Sequence, residues 1–203
     1  MVAGDPRRMR LAYSLMFSLP GTPALLYGEE IGLGDDLGLR GRLAVRPPMH
    51  WSPEEHGGFA PPGERELIRP VIAMERFAPE AVNVADQRRD RASMLNWMER
   101  LIRRRRECLE IGFGRPRLVP AAEGVFAHRM DWQDVTLVAA HNLTGDSVRA
   151  TLDVDGLQQG DDLLDLLGDA DPAPAGGSSV DLELPAYGYS WLRVRRAGQR
   201  PLP

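Results

Sequence analysis

Few residues in this chain are of a type and placement to do chemistry. Two adjacent carboxylates, Glu29 and Glu30, follow the short apolar run Pro23-Ala24-Leu25-Leu26-Tyr27 and its terminating Gly28. Carboxylates serve as general acids, bases or nucleophiles. Neighbours leaving an extended strand point to opposite faces, however, so these two cannot flank one bond. Either one of them shapes a pocket floor, or Glu30 ties the turn to backbone donors at the strand end. Arg46 stands before a rigid Pro47-Pro48. Its planar fork suits paired hydroxyls or a carboxylate, or else a structural ion pair. Trp51 either stacks on a ligand ring or anchors its own loop. Glu29, Glu30, Arg46 and Trp51 are therefore the candidate binding residues.

The remaining reactive side chains read as bland. His50, His56, His128 and His141 lack metal-ligand spacing and are expected at the surface or in a core. Asp35-Asp36 and Glu54-Glu55 read as solvated loop acids. The arginines at 103–106 resemble a phosphate patch, but at a helix C-terminus they complement the dipole. Cys108 has no basic partner by spacing and is expected to be inert. Asn142-Leu143-Thr144 matches a glycosylation acceptor, which has no meaning in a reducing compartment.

These residues need elements to hold them. Asp5-Pro6 is a capped helix start, and residues 7–19 are apolar on much of their circumference until Pro20-Gly21 stops them. The unbroken run at 23–27 fits a strand buried on both faces, as in a parallel sheet. Residues 31–85 lack periodicity, and a stretch of that length marks a functional or disordered loop. Met49, Trp51, Phe59 and Phe77 would anchor it. A second helix is expected over 90–111, with Gly112 behind it. Beyond Gly114 the period changes to strands, over 125–132, 135–143, 148–154, 163–167 and 180–194, implying a small antiparallel sandwich. The segment 169–179 is a low-complexity loop, and the tail after 196 is loose. The division falls near residue 112, giving domains at 1–112 and 113–203. A lone parallel strand has nothing to pair with, so the front part needs a partner or belongs to something larger.

Composition narrows the field. The chain has 203 residues with a net charge of −4, and all 25 basic side chains are arginine. The acidic balance argues against a nucleic-acid partner. No window reaches the ~18 apolar residues of a membrane span, and no apolar stretch follows the first arginines as in a secretory signal. One cysteine cannot form an internal disulfide or a metal cluster, which places the chain in a cytoplasm. No cofactor is called for by this chain.

Several motifs carry a family resemblance. Leu19 to Gly32 (Leu-Pro-Gly-Thr-Pro-Ala-Leu-Leu-Tyr-Gly-Glu-Glu-Ile-Gly) resembles the last barrel strand of the α-amylase superfamily, glycoside hydrolase family 13. Val45-Arg46-Pro47-Pro48-Met49-His50-Trp51 resembles the Arg-Thr-Pro-Met-Gln-Trp motif of its α-glucosidase and trehalose synthase branch, with Pro48 and His50 as departures. Gly57-Gly58-Phe59, Val82-Asn83-Val84 with Gln87, and Ser93-Met94-Leu95-Asn96-Trp97 follow in the same order. Tyr187-Gly188-Tyr189-Ser190-Trp191-Leu192 is similar to the closing strand of that family's C-terminal sandwich.

The resemblance implies an α+β chain: the final elements of a (β/α)8 barrel, followed by an all-β antiparallel sandwich. Residues 7–19 would be the seventh barrel helix, 23–27 the eighth strand and 90–111 the eighth helix. Barrel sites lie at the C-terminal ends of strands, so the long loop is placed to line a sugar pocket. The family's retaining chemistry needs two carboxylates about 5–5.5 Å apart. In the family these follow the fourth and fifth strands, with a third acid after the seventh. All fall before residue 1 of this sequence, so the chain contributes no catalytic residue and is expected to be inactive alone. The substrate implied is a short α-glucoside, interconverted as maltose and trehalose or hydrolysed, and the partner implied is a separately encoded N-terminal barrel portion. A non-catalytic carbohydrate-binding or interaction module is the rival from another class.

Overall fold

The computed structural model describes residues 4–61, 63, 67–168, 173–175 and 177–198. It divides into two compact units, one built from residues 1–6 and 23–100, the other from 7–22 and 101–203.

The second unit is an antiparallel sandwich with helices on one face. Its strands among the described residues are β1 (Arg115–Val119), β2 (Val125–Trp132), β3 (Val135–Asn142), β4 (Val148–Asp153), β5 (Asp162–Asp165), β6 (Ala173–Pro174), β7 (Ser179–Leu184) and β8 (Tyr189–Arg195). Six of them form one sheet in the order β1-β2-β3-β8-β5-β6, while β4 and β7 pair separately. Every pairing is antiparallel. β4 and β7 alternate buried and exposed residues, the pattern of a sheet with one wet face. Their inward Ala150, Leu152, Val180 and Leu184 join Val138, Ala140, Leu192 and Val194 of the large sheet in one core. β3 is different. Val138 and Ala140 serve that core, while Leu137, Ala139 and His141 are buried on the opposite face, so the strand is buried on both faces.

Helix α1 (Pro6–Ser18) belongs to this unit from residue 7 onward, and buries Leu11, Ser14, Phe17 and Ser18. Arg105 closes its C-terminal end, donating to the carbonyls of Phe17, Leu19 and Gly21 at 2.8, 3.0 and 2.6 Å. The arginine run thus includes a cap for a different helix from its own, which helical spacing does not reveal. Arg104 pairs with Glu107 within its own last turn.

The helix expected over 90–111 is two. α3 (Met94–Glu107) ends at Cys108, whose φ of −96° and ψ of 78° leave the helical region, and α4 (Leu109–Phe113) restarts behind it. Glu110, almost fully buried in α4, accepts from Arg193 Nε of β8 at 2.8 Å, and Arg193 also donates to the Glu107 carbonyl. One guanidinium therefore satisfies a buried carboxylate and an orphan carbonyl at the end of α3. β1 was not expected from the sequence, because four of its five residues are exposed and carry no period-2 signal. The run 180–194 splits into β7 and β8 at a turn where Gly188 N donates to Pro185 O. Of the low-complexity segment, residues 169–172 and 176 lie outside the described residues, as does the tail from 199. Residues 173–174 form β6.

The first unit is built from turns. Its small core is Ile31, Met49 and Val84, with Leu33, Val82 and Leu95 against it. Each such side chain contributes about 1.5–3 kcal/mol when fully buried. 3-10 turns lie at Glu29–Ile31, Gly41–Leu43, Glu55–Gly58 and Glu75–Phe77. The expected loop also contains a helix, α2 (Val84–Arg89), which Asn83 caps by accepting from Asp86 N at 2.8 Å. Of the four expected anchors, Met49 is buried and Phe77 half-buried, but Trp51 and Phe59 stand exposed.

The strand expected over 23–27 does not form. Residues 22–26 have no regular secondary structure and no strand partner, and Leu26 and Tyr27 are 52% and 55% exposed. The physical reason is the one that made the run unusual. A parallel strand needs a neighbour on its edge, and no described strand of this chain pairs with it.

Candidate functional site

The first unit places the end of the apolar run beside the loop that follows Val45. Gly28 turns the chain with φ of 98°, and a Cβ there would lie 2.8 Å from Leu33 Cδ2, so glycine is required. This turn sets the two carboxylates. Glu29 Oε2 accepts from Leu26 N at 2.9 Å, and Glu30 Oε2 accepts from Gly28 N at 2.8 Å. Both acids bond to backbone donors of the turn, so the tie read for Glu30 is present and Glu29 makes one too.

Two openings flank this turn. A narrow crevice is lined by Leu26, Glu29, Leu33, Asp35 and Val45. A wider cleft of about 510 Å³ is lined by Tyr27, Arg46, Pro48, Phe59, Ile68 and Arg69. Tyr27 and Pro47 border both. Arg46 is exposed, and its backbone is held by a bond from its N–H to Leu43 O at 3.2 Å. Burial, then the nearby Glu30 charge, raises the Tyr27 phenol above its ordinary value. The cleft is mostly aromatic and aliphatic with two guanidinium groups. That suits a ligand with an apolar ring face and several hydroxyls.

The structure brings Arg46 into the wide cleft and Glu29 into the crevice. Glu30 lines neither, and Trp51 lines neither although it is 43% exposed. Trp51 works through its backbone: its N–H donates to Gly57 O at 2.7 Å, and its carbonyl accepts from Ala85 N at 3.0 Å. Between them sits His50, fully buried, with Nδ1 3.0 Å from Val82 O and its carbonyl accepting from Val84 N at 2.9 Å. Burial lowers the His50 pKa, partly offset by the Val82 carbonyl and Glu80. Gly57 packs on it with φ of 64°, where a Cβ would lie 3.1 Å from His50 Cα. The loop carrying Arg46 is thereby fastened from its far end.

Tyr27, Phe59, Ile68 and Arg69 are cleft residues that sequence reasoning passed over. A signal existed for two of them. Tyr27 ends the apolar run beside the carboxylates, and Phe59 is an aromatic after two glycines in a loop. Nothing about Ile68 or Arg69 in the sequence marks them. The motif residues Asn83, Gln87, Ser93 and Asn96 serve as scaffold. Gln87 donates to Ile31 O at 2.7 Å and accepts from Leu95 N at 2.9 Å, and Asn96 donates to the carbonyls of Gln87 and Asp90. They join α2, the start of α3 and the Glu29–Ile31 turn. Asn142, the apparent glycosylation acceptor, is completely buried, with its amide on three carbonyls.

The architecture and the motifs meet in the comparisons. Residues 2–112 match the model of the α-amylase catalytic domain, and residues 135–193 match that of the sucrose hydrolase-like C-terminal domain. The chain belongs to the α-amylase family. A trehalose synthase of Pimelobacter sp. is 36% identical over 114 residues, 56% of this chain and 20% of that protein. A trehalose synthase/amylase of Mycobacterium tuberculosis is 30% identical over 96% of this chain and 33% of its own length. The chain thus spans about a third of the length of such a relative. Among solved structures, an α-amylase from H. orenii superposes with a TM-score of 0.68 at 23% identity, over 94% of this chain and 36% of that one. The fold is the end of an α-amylase-type barrel followed by an antiparallel β domain, and trehalose synthases are among its relatives in sequence. No helix among the described residues is long and apolar enough to cross a membrane.

Proposed function

We propose that this chain forms one wall of the sugar site, and the closing β domain, of a trehalose synthase-like enzyme that acts on short α-glucosides with retention. The observation carrying this reading is the cleft between Tyr27, Arg46 and Phe59, built on the loop that follows the expected eighth strand. The C-terminal ends of barrel strands are where such enzymes bind substrate. Arg46 contacts sugar hydroxyls, Phe59 and Tyr27 cover the ring, Glu29 stands at the border of the subsite, and Trp51 fastens the Arg46 loop through its backbone. Glu30 shapes the floor through the turn it holds. No cofactor is assigned to this chain, and its single cysteine suits a cytoplasmic setting.

Catalysis itself is supplied by carboxylates outside this chain. Retaining hydrolysis or transfer requires a nucleophile and an acid/base facing one glycosidic bond, whereas Glu29 and Glu30 each accept from their own turn. The partner is the remaining barrel portion, whether joined to this chain or encoded apart. The apolar stretch at residues 23–26, which no strand of this chain pairs among the described residues, supports this.

The test has two arms. The purified chain is expected neither to convert maltose to trehalose nor to release glucose, and turnover that disappears in Glu29→Gln or Glu30→Gln would overturn the assignment. When the chain is combined with a barrel portion from a relative, maltose conversion is expected. Arg46→Ala should then raise KM by about tenfold, the ~1.4 kcal/mol of one charge-assisted contact. An unchanged KM removes Arg46 from the site. Glucose release without trehalose would favour the hydrolase reading within the same family.

A further inference from the structure

In the second unit, His128 of β2 and His141 of β3 lie side by side beneath α1, their rings 6.0 Å apart and within 4° of parallel. Both are buried. Ser14, fully buried on α1, accepts from Trp191 Nε1 at 3.0 Å and lies 3.1 Å from His141 Nε2. His128 Nε2 lies 3.0 Å from the Ser18 carbonyl, near the C-terminal end of the same helix. A carbonyl only accepts, so His128 keeps its proton on Nε2. Its Nδ1 is then a bare lone pair, buried with no hydrogen-bond partner, and Nδ1 of His141 has none either.

A second proton on either ring would place a charge in this layer, and on His128 also an N–H with no acceptor. The neighbours compensate little: the Ser14 and Phe126 backbone favours the charged form of His141, and burial outweighs it. α1 offers the Ser14 and Ser18 groups, β2 offers Phe126, and β8 offers Trp191 and Tyr189. The charge bonded to this end of α1 is Arg105, which has the same sign as an imidazolium. No hydrogen bond or ion pair joins a carboxylate to either ring among the described residues.

We propose that the paired imidazoles form an acid-sensitive latch, which holds α1 on the sheet while both rings are neutral and releases it when either is protonated. Once α1 lifts, the rings reach water and bind protons as ordinary histidines, with pKa near 6.5. Burial pushes His128 below that value, and burial together with His128 pushes His141 down to about 3. The released state therefore binds more protons at acid pH. Docking is fully present above about pH 6.5 and weakens as pH falls below it, by about tenfold per pH unit for each histidine. The β4–β7 side of the sandwich core contains no histidine and is unaffected.

Hydrogen exchange of the intact chain, read as protection factors so that intrinsic pH effects cancel, tests the latch. Between about pH 7.5 and about pH 5.5 the α1 amides should lose at least tenfold protection while β4 and β7 keep theirs. In His128→Gln/His141→Gln, which can hydrogen-bond but not ionise, the loss should vanish. Protection of α1 that stays flat to about pH 5, or a loss that persists in the double variant, overturns the proposal. If the double variant does not fold, NMR titration of the native rings decides. Rings that stay neutral until α1 opens support the latch, and rings that protonate near 6.5 under a protected α1 overturn it.

Discussion

The two units solve the problem of stability in opposite ways. The second rests on an apolar core shared between two sheets, in which residues from β3, β4, β7 and β8 are buried on a regular period. The first has Ile31, Met49 and Val84 at its centre and is otherwise fixed by side-chain amides and glycine turns. It leaves Leu26, Tyr27, Trp51, Phe59 and Ile68 in water. Cores are stable but carry little chemistry, while loops held by polar clamps expose ring faces and guanidinium groups to a ligand. The difference also ranks the two by resistance to unfolding, since regions with few buried apolar contacts open first.

A pair of asparagines, one in each unit, tests that ranking. Asn142 is completely buried, donates to the carbonyls of Asp146, Leu184 and Pro185, and accepts from Thr144 N at 2.9 Å. Asn142→Ala strands several of these groups at once and should lower the stability of the second unit by about 3 kcal/mol or more. Urea denaturation followed by β-sheet circular dichroism measures it. A loss below about 1 kcal/mol would show that the sandwich core alone fixes the β7–β8 turn.

Two smaller effects belong to the first unit. Gly57→Ala forces a side chain into φ of 64° and against His50 Cα at 3.1 Å. That should cost about 1–2 kcal/mol, seen as faster exchange around residues 49–59 with β3 and β8 unchanged. Asn83→Ala removes the cap of α2, worth about 1 kcal/mol. If either substitution destabilises the sandwich strands as much as the loop, the two units unfold together and the contrast fails.

What was legible in the sequence follows the same contrast. The bounds of β2, β3 and β4 are legible nearly residue for residue, because a strand packed on at least one face imposes a pattern its own residues must carry. α1 was equally plain from Pro6 and its apolar girth. The break at Cys108 was hidden, since Gly112 is the stronger stop signal and nothing near 108 disfavours helix. Residues 23–27 read as a strand because their side chains suit burial, yet pairing depends on neighbours that a local pattern does not contain. At the cleft, Arg46 and Glu29 were singled out by charge beside rigid or apolar chain, whereas Ile68 and Arg69 arrive from a segment with no period. His128 and His141, thirteen positions apart, meet only because β2 and β3 form a hairpin in this register. Spacing along the chain is the wrong coordinate for them.

Cys108 gives the mildest test, because it changes nothing in the protein. The thiol is buried in the second unit, and burial pushes its pKa up to about 12, with Arg193 pulling the other way. The reactive form is the thiolate, so a maleimide or disulfide reagent at about pH 8 should leave the native chain unlabelled over hours and modify it as soon as urea opens the unit. The labelling rate then reports the opening of the second unit alone. Measured beside exchange in the first unit, it gives the two opening free energies separately, and that of the second should be the larger. Rapid native labelling would mean that the junction of α3 and α4 opens on its own, and the second unit would lose its place as the more stable of the two.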